Sequence, residues 1–351
     1  MMSIREEIEK REREMLSPFA ALAVNSKGRE IAEEPDELRT CYMRDRDRVI
    51  HSKAFRRLKH KTQVYISPGN DHYRTRLTHT LEVAQIAKTI GRGLNLNEDL
   101  IEAIALAHDV GHTPFAHTGE EVLNELMQGG FHHNENSVRV LTRVEQRRKS
   151  LGLNLSAEVL DGVLHHSGYG TNKTKAATLE GQIIRFSDKI AYVQHDIDDS
   201  IRAGIITEDD LPYEYTEVLG HSHSGRIATL VKDMVMHSRA LLSEAKLGED
   251  ITLCFSPEID AALKGLRSFM FDEVYHGEVC ALERERAAFI VKFLFEYYSE
   301  RPEAMPGFYQ QVAREEGIER GVADYISGMS DNYCVELFKE LTIPRSFLCT
   351  I

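Results

Sequence analysis

His108 and Asp109 stand side by side in the run AHDVGHTPFAHTGEE (107–121), and an imidazole next to a carboxylate can grip one divalent cation. His79 upstream and Asp188 downstream offer a third and a fourth ligand of the same kinds. A mixed His/Asp set suits a borderline-to-hard ion and leaves coordination positions open for water and phosphate oxygens. The constellation predicts a metal-dependent phosphohydrolase. A His-Asp dipeptide alone is more often a cap or core pair than a metal site, so the context has to carry the reading. Of 16 histidines in the chain, His79, His108, His112 and His117 fall within residues 79–117, and histidines gathered beside carboxylates mark chemistry.

These residues need helix ends to hold them. Asn97 followed by Glu98 and Asp99 reads as an N-cap with an acidic first turn. Leu100, Ile101, Ile104, Ala105 and Ala107 form its apolar stripe, and Gly111 and Pro114 end it, which sets His108 and Asp109 on the last turn. Val83, Ile86, Ala87, Ile90 and Leu94 recur at helical spacing and put His79 near the start of another helix. Thr118 with Glu121 reads as a capping box for a helix that stops at Gly129 and Gly130. In RFSDKIAYVQHDIDDSIRAG, Asp188, Tyr192, Asp196 and Asp199 fall on one helical face, with Lys189 beside them. Ile183, Ile184, Phe186, Ile190, Val193, Ile197 and Ile201 make that helix apolar enough to be largely buried, and a buried Asp needs a cation or a donor.

Further helices are expected over 134–148, 156–166, 180–203, 224–245, 257–275 and 281–299, the fifth opening on Ser256-Pro257 as cap and first helical residue. The segments 205–222 and 300–318, with their prolines and glycines, read as loops. Alternating strand patterns are scarce, and no repeat appears. The expected fold is all-α: an N-terminal helical segment over 1–43, a core over 44–220, and a helical C-terminal part over 221–351 packed on that core.

The chain of 351 residues, 42% of them hydrophobic, can bury a large core. Five scattered cysteines without a CxxC spacing indicate neither a disulfide framework nor a zinc knuckle, and fit a reducing cytoplasm. No signal peptide and no membrane span are expected, because no apolar run approaches the ~18 residues a span needs. A net charge of −13 argues against a general affinity for nucleic acid. Between Arg44 and Lys61, however, eight Lys and Arg face two Asp, so an anion could dock there, unless those side chains only form a solvated, ion-paired face. Arg56, Arg57 and Lys61 share their helical surface with Phe55, Leu58 and Val64, which would half-bury some of them. Phe271, Tyr275 and Tyr325 could line a base pocket, or belong to core packing.

The blocks SKAFRRLKHKTQV (52–64), RTRLTHTLEV (74–83), HDVGHTPFAHTGE (108–120), HHNENS (132–137), RFSDKIAYVQHDIDD (185–199) and DYISGMSDNY (324–333) follow one another in an order that resembles one family. It is the HD superfamily, and within it the deoxynucleoside triphosphate triphosphohydrolases, including bacterial dGTPase-like proteins. The resemblance implies an HD-domain helical bundle with a helical C-terminal extension. It implies that His79, His108, Asp109 and Asp188 hold the metal, which is Mg, Mn, Fe, Co, Ni or Zn. His117 matches a catalytic histidine near the α-phosphate, Glu120 the acid that orients it, and His112 a neighbour in the same pocket. Arg76 resembles a phosphate-clamping arginine, and Lys189 and Tyr192 further phosphate partners. Asp196 is similar to a residue that bonds the sugar 3′-hydroxyl, Gln63 to one lying against the deoxyribose, and His133 to a conditional phosphate contact.

The implied reaction is hydrolysis of a dNTP to deoxynucleoside and tripolyphosphate; on its helical position alone, Tyr192 is the candidate wall that excludes a 2′-hydroxyl, unless it belongs to ordinary core packing. The resemblance also implies a homo-oligomer, and a nucleotide effector and weak single-stranded nucleic acid binding stand beside the dNTP as further expected partners. The alternatives are an HD-type hydrolase of nucleoside monophosphates or cyclic nucleotides, and a regulatory module that binds nucleic acid through the 44–61 segment.

Overall fold

The computed structural model describes residues 2–63, 73–147, 150–167, 174–275 and 277–344. It is all-α apart from a two-stranded antiparallel hairpin pairing Gln146 with Leu151 and Arg147 with Ser150. Ile101, Ile104, Val83, Ile90, Ile183 and Ile190 are all buried in one core, because the Arg76–Gly93, Glu98–Ala107 and Leu179–Arg202 helices turn their apolar stripes toward each other. Burying a side chain of this size contributes roughly 1.5–3 kcal/mol, so these contacts dominate the packing energy. That core runs on through Leu230, Met234, Leu263 and Met270 to Val274. A second core joins Phe115, Leu123, Met127 and Phe131 to Val291, Leu294, Ile326 and Cys334. The C-terminal helices therefore pack on the Ala116–Leu126 helix, next to the His-rich turn.

Several local expectations are corrected. The 205–222 and 300–318 segments hold the helices Tyr213–Leu219 and Gly307–Glu316, whose N-caps are Pro212 and Pro306. Proline here starts helices instead of ending them, since a helix's first turn has no use for its missing N–H. Thr118 caps nothing: the helix begins at Ala116, behind Phe115 in the left-handed conformation (φ 59°). The reason lies far away in sequence, for Asp331 accepts from Phe115 N at 2.9 Å and fixes the turn. The N-terminal segment is helical over Ile4–Met15 only, and between Leu16 and Thr40 it is irregular apart from a short 3-10 turn at Ala23–Asn25. Buried carboxylates of the core take up its main-chain N–H groups there, Glu180 bonding Ala21 and Glu158 bonding Lys27. The expected 134–148 helix becomes the His133–Arg139 helix, a π-helical turn to Val144 and the hairpin.

Half of the basic run is taken up internally. Arg44 and Arg48 pair with Glu33, and Arg46 with Asp47, Asp99 and Glu102. Lys61 is buried and donates to the carbonyls of His112 and Ser327. Arg56 is exposed, and Val64 lies outside the described residues. Tyr325 packs against Tyr298 and Tyr309 in the second core, Phe271 is about half exposed, and the Tyr275 side chain lies outside what is described. No described helix is long and apolar enough to cross a membrane.

Candidate functional site

Thr75 caps the Arg76–Gly93 helix, its hydroxyl accepting from Thr78 N, so that Arg76 and His79 enter the core on the first turn. His108 is the C-cap of the Glu98–Ala107 helix, and Asp109 opens the turn behind it. That turn is latched from the HHNENS block. Ser137 Oγ donates to His108 O at 2.7 Å and accepts from Gly111 N at 3.0 Å, while Asn136 Nδ2 donates to Gly111 O at 2.7 Å. The approach needs glycine, because a Cβ on Gly111 would stand 2.1 Å from Ser137 N.

The four expected ligands meet. His79 Nε2 lies 3.0 Å from Asp188 Oδ1 and 4.0 Å from Asp109 Oδ2; His108 Nε2 lies 3.5 Å from Asp109 Oδ2 and 3.9 Å from Asp188 Oδ1. Ligands about 2.0–2.2 Å from one cation stand roughly 3–4 Å apart, so the set has the size of a coordination shell. His108 supplies the sharper sign. Its Nδ1–H donates to Ala105 O at 2.6 Å, which leaves a lone pair on Nε2, and that atom is buried with no hydrogen-bond partner among the described residues. A bare basic nitrogen facing two carboxylates is what a cation would complete. Burial pushes the Asp109 carboxyl up, but His108, Arg76 and His112 more than offset it and hold it well below the carboxylate range. For Asp188 the hydrogen bond and charge of His79 likewise outweigh burial. Both stay anionic, as ligands must.

Around this set the remaining residues divide. His112 is buried, its ring stacked at 4.1 Å on that of His133, and its Nδ1 has no partner. Burial, with Arg76 and His133 nearby, keeps it neutral. His117 is the exposed member, with a side chain 67% accessible and Nδ1 3.5 Å from Glu120 Oε2. Glu120 has closer business with His133, whose main-chain N and Nδ1 it accepts from at 2.8 and 2.9 Å. The expected His117–Glu120 pair is thus a three-membered group. Arg76 Nη1 donates to Asp109 Oδ2 at 2.6 Å, and its Nε is buried without a partner. Tyr192 Oη and Asp196 Oδ1, one turn apart on the Leu179–Arg202 helix, are also buried without partners among the described residues. Burial, with Asp199 and Asp188 close by, pushes the Asp196 carboxyl well up. Lys189 is half-buried, and burial and Arg185 lower its pKa. Gln63 is buried at the edge of the described chain, and its Oε1 has no partner among the described residues.

Sequence reasoning missed four participants. His166 stands with Nε2 3.3 Å from His133 Nε2 and 3.8 Å from Asp109 Oδ1. His195 and Glu82 stand behind His79, and Asp331 bonds both Phe115 N and Thr62 N. Spacing held a signal for two of them: His195 follows Asp188 by two helical turns, and Glu82 follows His79 by one.

Residues 76–193 match the HD domain and residues 253–340 the phosphohydrolase-associated domain. The chain is 57% identical over 346 residues to the deoxyguanosinetriphosphate triphosphohydrolase-like protein of Clostridium tetani, covering 98% of this chain and 97% of that one. It is 55% identical over 344 residues to the protein of the same name from Clostridium perfringens, covering 98% and 99%. A solved structure of a hypothetical protein from Aquifex aeolicus aligns with a TM-score of 0.46 at 20% identity, over 87% of this chain and 69% of that one. Helical architecture and a His/Asp centre within the matched segment define the class, an HD-domain hydrolase. Within that class, the chain belongs to the deoxyguanosinetriphosphate triphosphohydrolase-like family. HD domains bind divalent metal ions, and the cluster of His79, His108 and Asp109 is a set that could hold one.

Proposed function

We propose that the chain hydrolyses deoxynucleoside triphosphates to deoxynucleoside and tripolyphosphate, using one divalent cation held by His79, His108, Asp109 and Asp188. The observation that carries the metal set is the buried, unpartnered Nε2 of His108 among two carboxylates and His79. When bound, such an ion polarises the phosphate and makes water a nucleophile near neutral pH. In the proposed reaction water attacks the α-phosphorus, the bond from phosphorus to the sugar 5′-oxygen breaks, and that oxygen leaves with a proton. His117 is assigned to move the proton, with Glu120 polarising its ring from 3.5 Å. His112, neutral and unpartnered at Nδ1, is assigned a hydrogen bond to the reacting phosphate, with His133 behind it.

Recognition falls to half-buried Lys189 and to groups with polar atoms buried without partners among the described residues. Arg76, through its free Nε, and Lys189 are assigned to the phosphates; Tyr192, Asp196 and Gln63 are assigned to the sugar. The names of the relatives support a triphosphate with a deoxyribose. The reading extends to a cytoplasmic homo-oligomer, as the resemblance implies. Binding of nucleic acid through the 44–61 segment has less support, because Arg44, Arg46 and Arg48 are taken up by internal carboxylates.

The test is to incubate metal-loaded protein with each dNTP and each NTP and separate nucleoside, monophosphate and tripolyphosphate. The expected products are deoxynucleoside and tripolyphosphate from dNTPs alone, and Asp109→Asn should yield neither and hold no metal. Monophosphate and pyrophosphate, or equal hydrolysis of ribonucleotides, would overturn the reading.

A further inference from the structure

His79 and His108 are both presented through Nε2, and to hold a cation each must carry its ring proton on Nδ1; without the ion, the 3.0 Å contact of His79 Nε2 with Asp188 Oδ1 takes a proton on Nε2 instead. For His108 the main chain holds the proton on Nδ1, through Ala105 O at 2.6 Å. Among the described residues no carbonyl does so for His79. Its Nδ1 instead faces Nδ1 of His195 at 3.5 Å, the two rings meeting edge-on at 88° with centroids 5.6 Å apart. A hydrogen bond between two Nδ1 atoms requires one ring to donate and the other to accept. His195 settles which, because its Nε2 lies 2.9 Å from Glu82 Oε2, and a carboxylate accepts only from an N–H. His195 therefore carries its proton on Nε2 and a lone pair on Nδ1. With a cation on Nε2 of His79, that lone pair accepts the Nδ1–H of His79 and so favours the tautomer that binds the ion.

Glu82 is itself held. Arg74 Nε lies 3.3 Å from each of its oxygens, and the same guanidinium bonds Asp198 and Asp199 at 2.8 Å. Helix spacing puts the relay together: Glu82 is one turn past His79 on the Arg76–Gly93 helix, and His195 two turns past Asp188 on the Leu179–Arg202 helix. His79 and His195 are buried, whereas the Glu82 side chain is 38% exposed. His223, stacked 6.3 Å from His195, closes the far side.

We propose that Glu82 and His195 are positioning residues that fix the tautomer and ring orientation of His79, a carboxylate acting on the metal ligand through an intervening imidazole. The inference rests on the metal set proposed above. A carboxylate directly behind a ligating histidine is a common arrangement; here the distance is doubled and a second ring spans it. The two histidine ligands then differ in kind. His108 is seated by backbone that no substitution removes, while His79 is seated by side chains that a substitution can take away.

The experiment is to titrate metal-free protein with Mn²⁺ or Zn²⁺ in competition with a chromophoric chelator, for wild type, His195→Phe, His195→Gln, Glu82→Ala and Glu82→Gln, with helical circular dichroism recorded for each. His195→Phe keeps a ring of similar size and removes the acceptor, and it should weaken the cation about 10–100-fold, the usual loss behind a metal ligand. His195→Gln, whose amide oxygen can accept from His79, should recover most of that. Glu82→Ala sits at the half-exposed end and should fold normally even where His195→Phe does not; it should weaken binding several-fold, and Glu82→Gln less. A merely structural role would lower the melting temperature without this order of affinities. If wild type binds one equivalent and folded Glu82→Ala and His195→Phe bind equally tightly, the relay is overturned while the metal set stands. If wild type takes up no divalent cation, the metal set falls and the relay with it.

Discussion

Arg76 and Asp109 form a buried ion pair at 2.6 Å, and the oxygen that Arg76 holds, Oδ2, is the one that His79 and His108 also face. Arginine and cation thus compete for, or share, one carboxylate oxygen. Arg76→Ala should cost metal-free protein about 3–5 kcal/mol, the usual result of stranding one partner of a buried pair. Added divalent cation should restore part of that loss, since it neutralises the same carboxylate. In loaded protein the variant should raise KM for every dNTP by a similar factor, because all share the triphosphate. Melting curves with and without metal check the first statement, and KM for the four dNTPs the second. A base-dependent loss would move Arg76 away from the phosphates.

His117 is exposed and bonded only loosely to Glu120, so His117→Ala should fold, keep its metal and keep its dNTP affinity. Turnover should fall by roughly two to four orders of magnitude, the contribution of a positioned proton-transfer group. Metal content, KM and kcat measured together separate this from a structural defect.

Asp196 has one oxygen buried without a partner on the face that also carries Asp188 and Tyr192. If that oxygen bonds the sugar, wild type should prefer a dNTP over its 2′,3′-dideoxy analogue, because the analogue leaves a buried polar atom unmet. Asp196→Ala should narrow the preference about tenfold or more, a loss of ~1–3 kcal/mol of discrimination. The ratio of kcat/KM for the two substrates is the measurement, and an undiminished ratio would take Asp196 out of the sugar pocket.

Lys61 gives a pH signature. Burial, reinforced by Arg57, pushes its ammonium down to about 7, although the carbonyls of His112 and Ser327 accept its hydrogens. An unfolded lysine keeps its proton to about 10.4, so above pH 7 the unfolded chain binds more protons and stability rises with pH. The gain is at most about 1.4 kcal/mol per pH unit. Wild type should therefore gain on Lys61→Met between pH 7 and 9, read as the difference in their denaturation midpoints. A parallel pair of pH curves would place the Lys61 ammonium in its ordinary range.

Helix existence was legible because the apolar stripes of the 83–94, 100–107 and 183–201 segments are long and periodic, and buried helices have few ways to present them. His79, His108 and Asp109 could be grouped because ligand types were crowded near helix ends, and Asp188 because it opens the polar face of a largely buried helix. What escaped were contacts that local pattern does not encode. Thr118 looked like a cap because nothing near it in sequence announces Asp331, which ties down the turn from 216 residues away. Pro212 and Pro306 looked like breakers because a proline reads the same on either side of a helix start. His166, next to His165 at the end of an apolar helix, and His195, before an acidic run, were passed over because only packing shows what each touches.

Asp331 reaches from the phosphohydrolase-associated segment to two main-chain N–H groups, Phe115 beside the histidine turn and Thr62 beside Gln63. A chain cut before residue 253 would retain every proposed metal ligand and the whole HD match, yet it would lose the carboxylate that shapes both loops over them. The two matched segments are thus separable as sequence blocks but joined in the fold: the HD half brings the ligands, and the other half pins the main chain beside them.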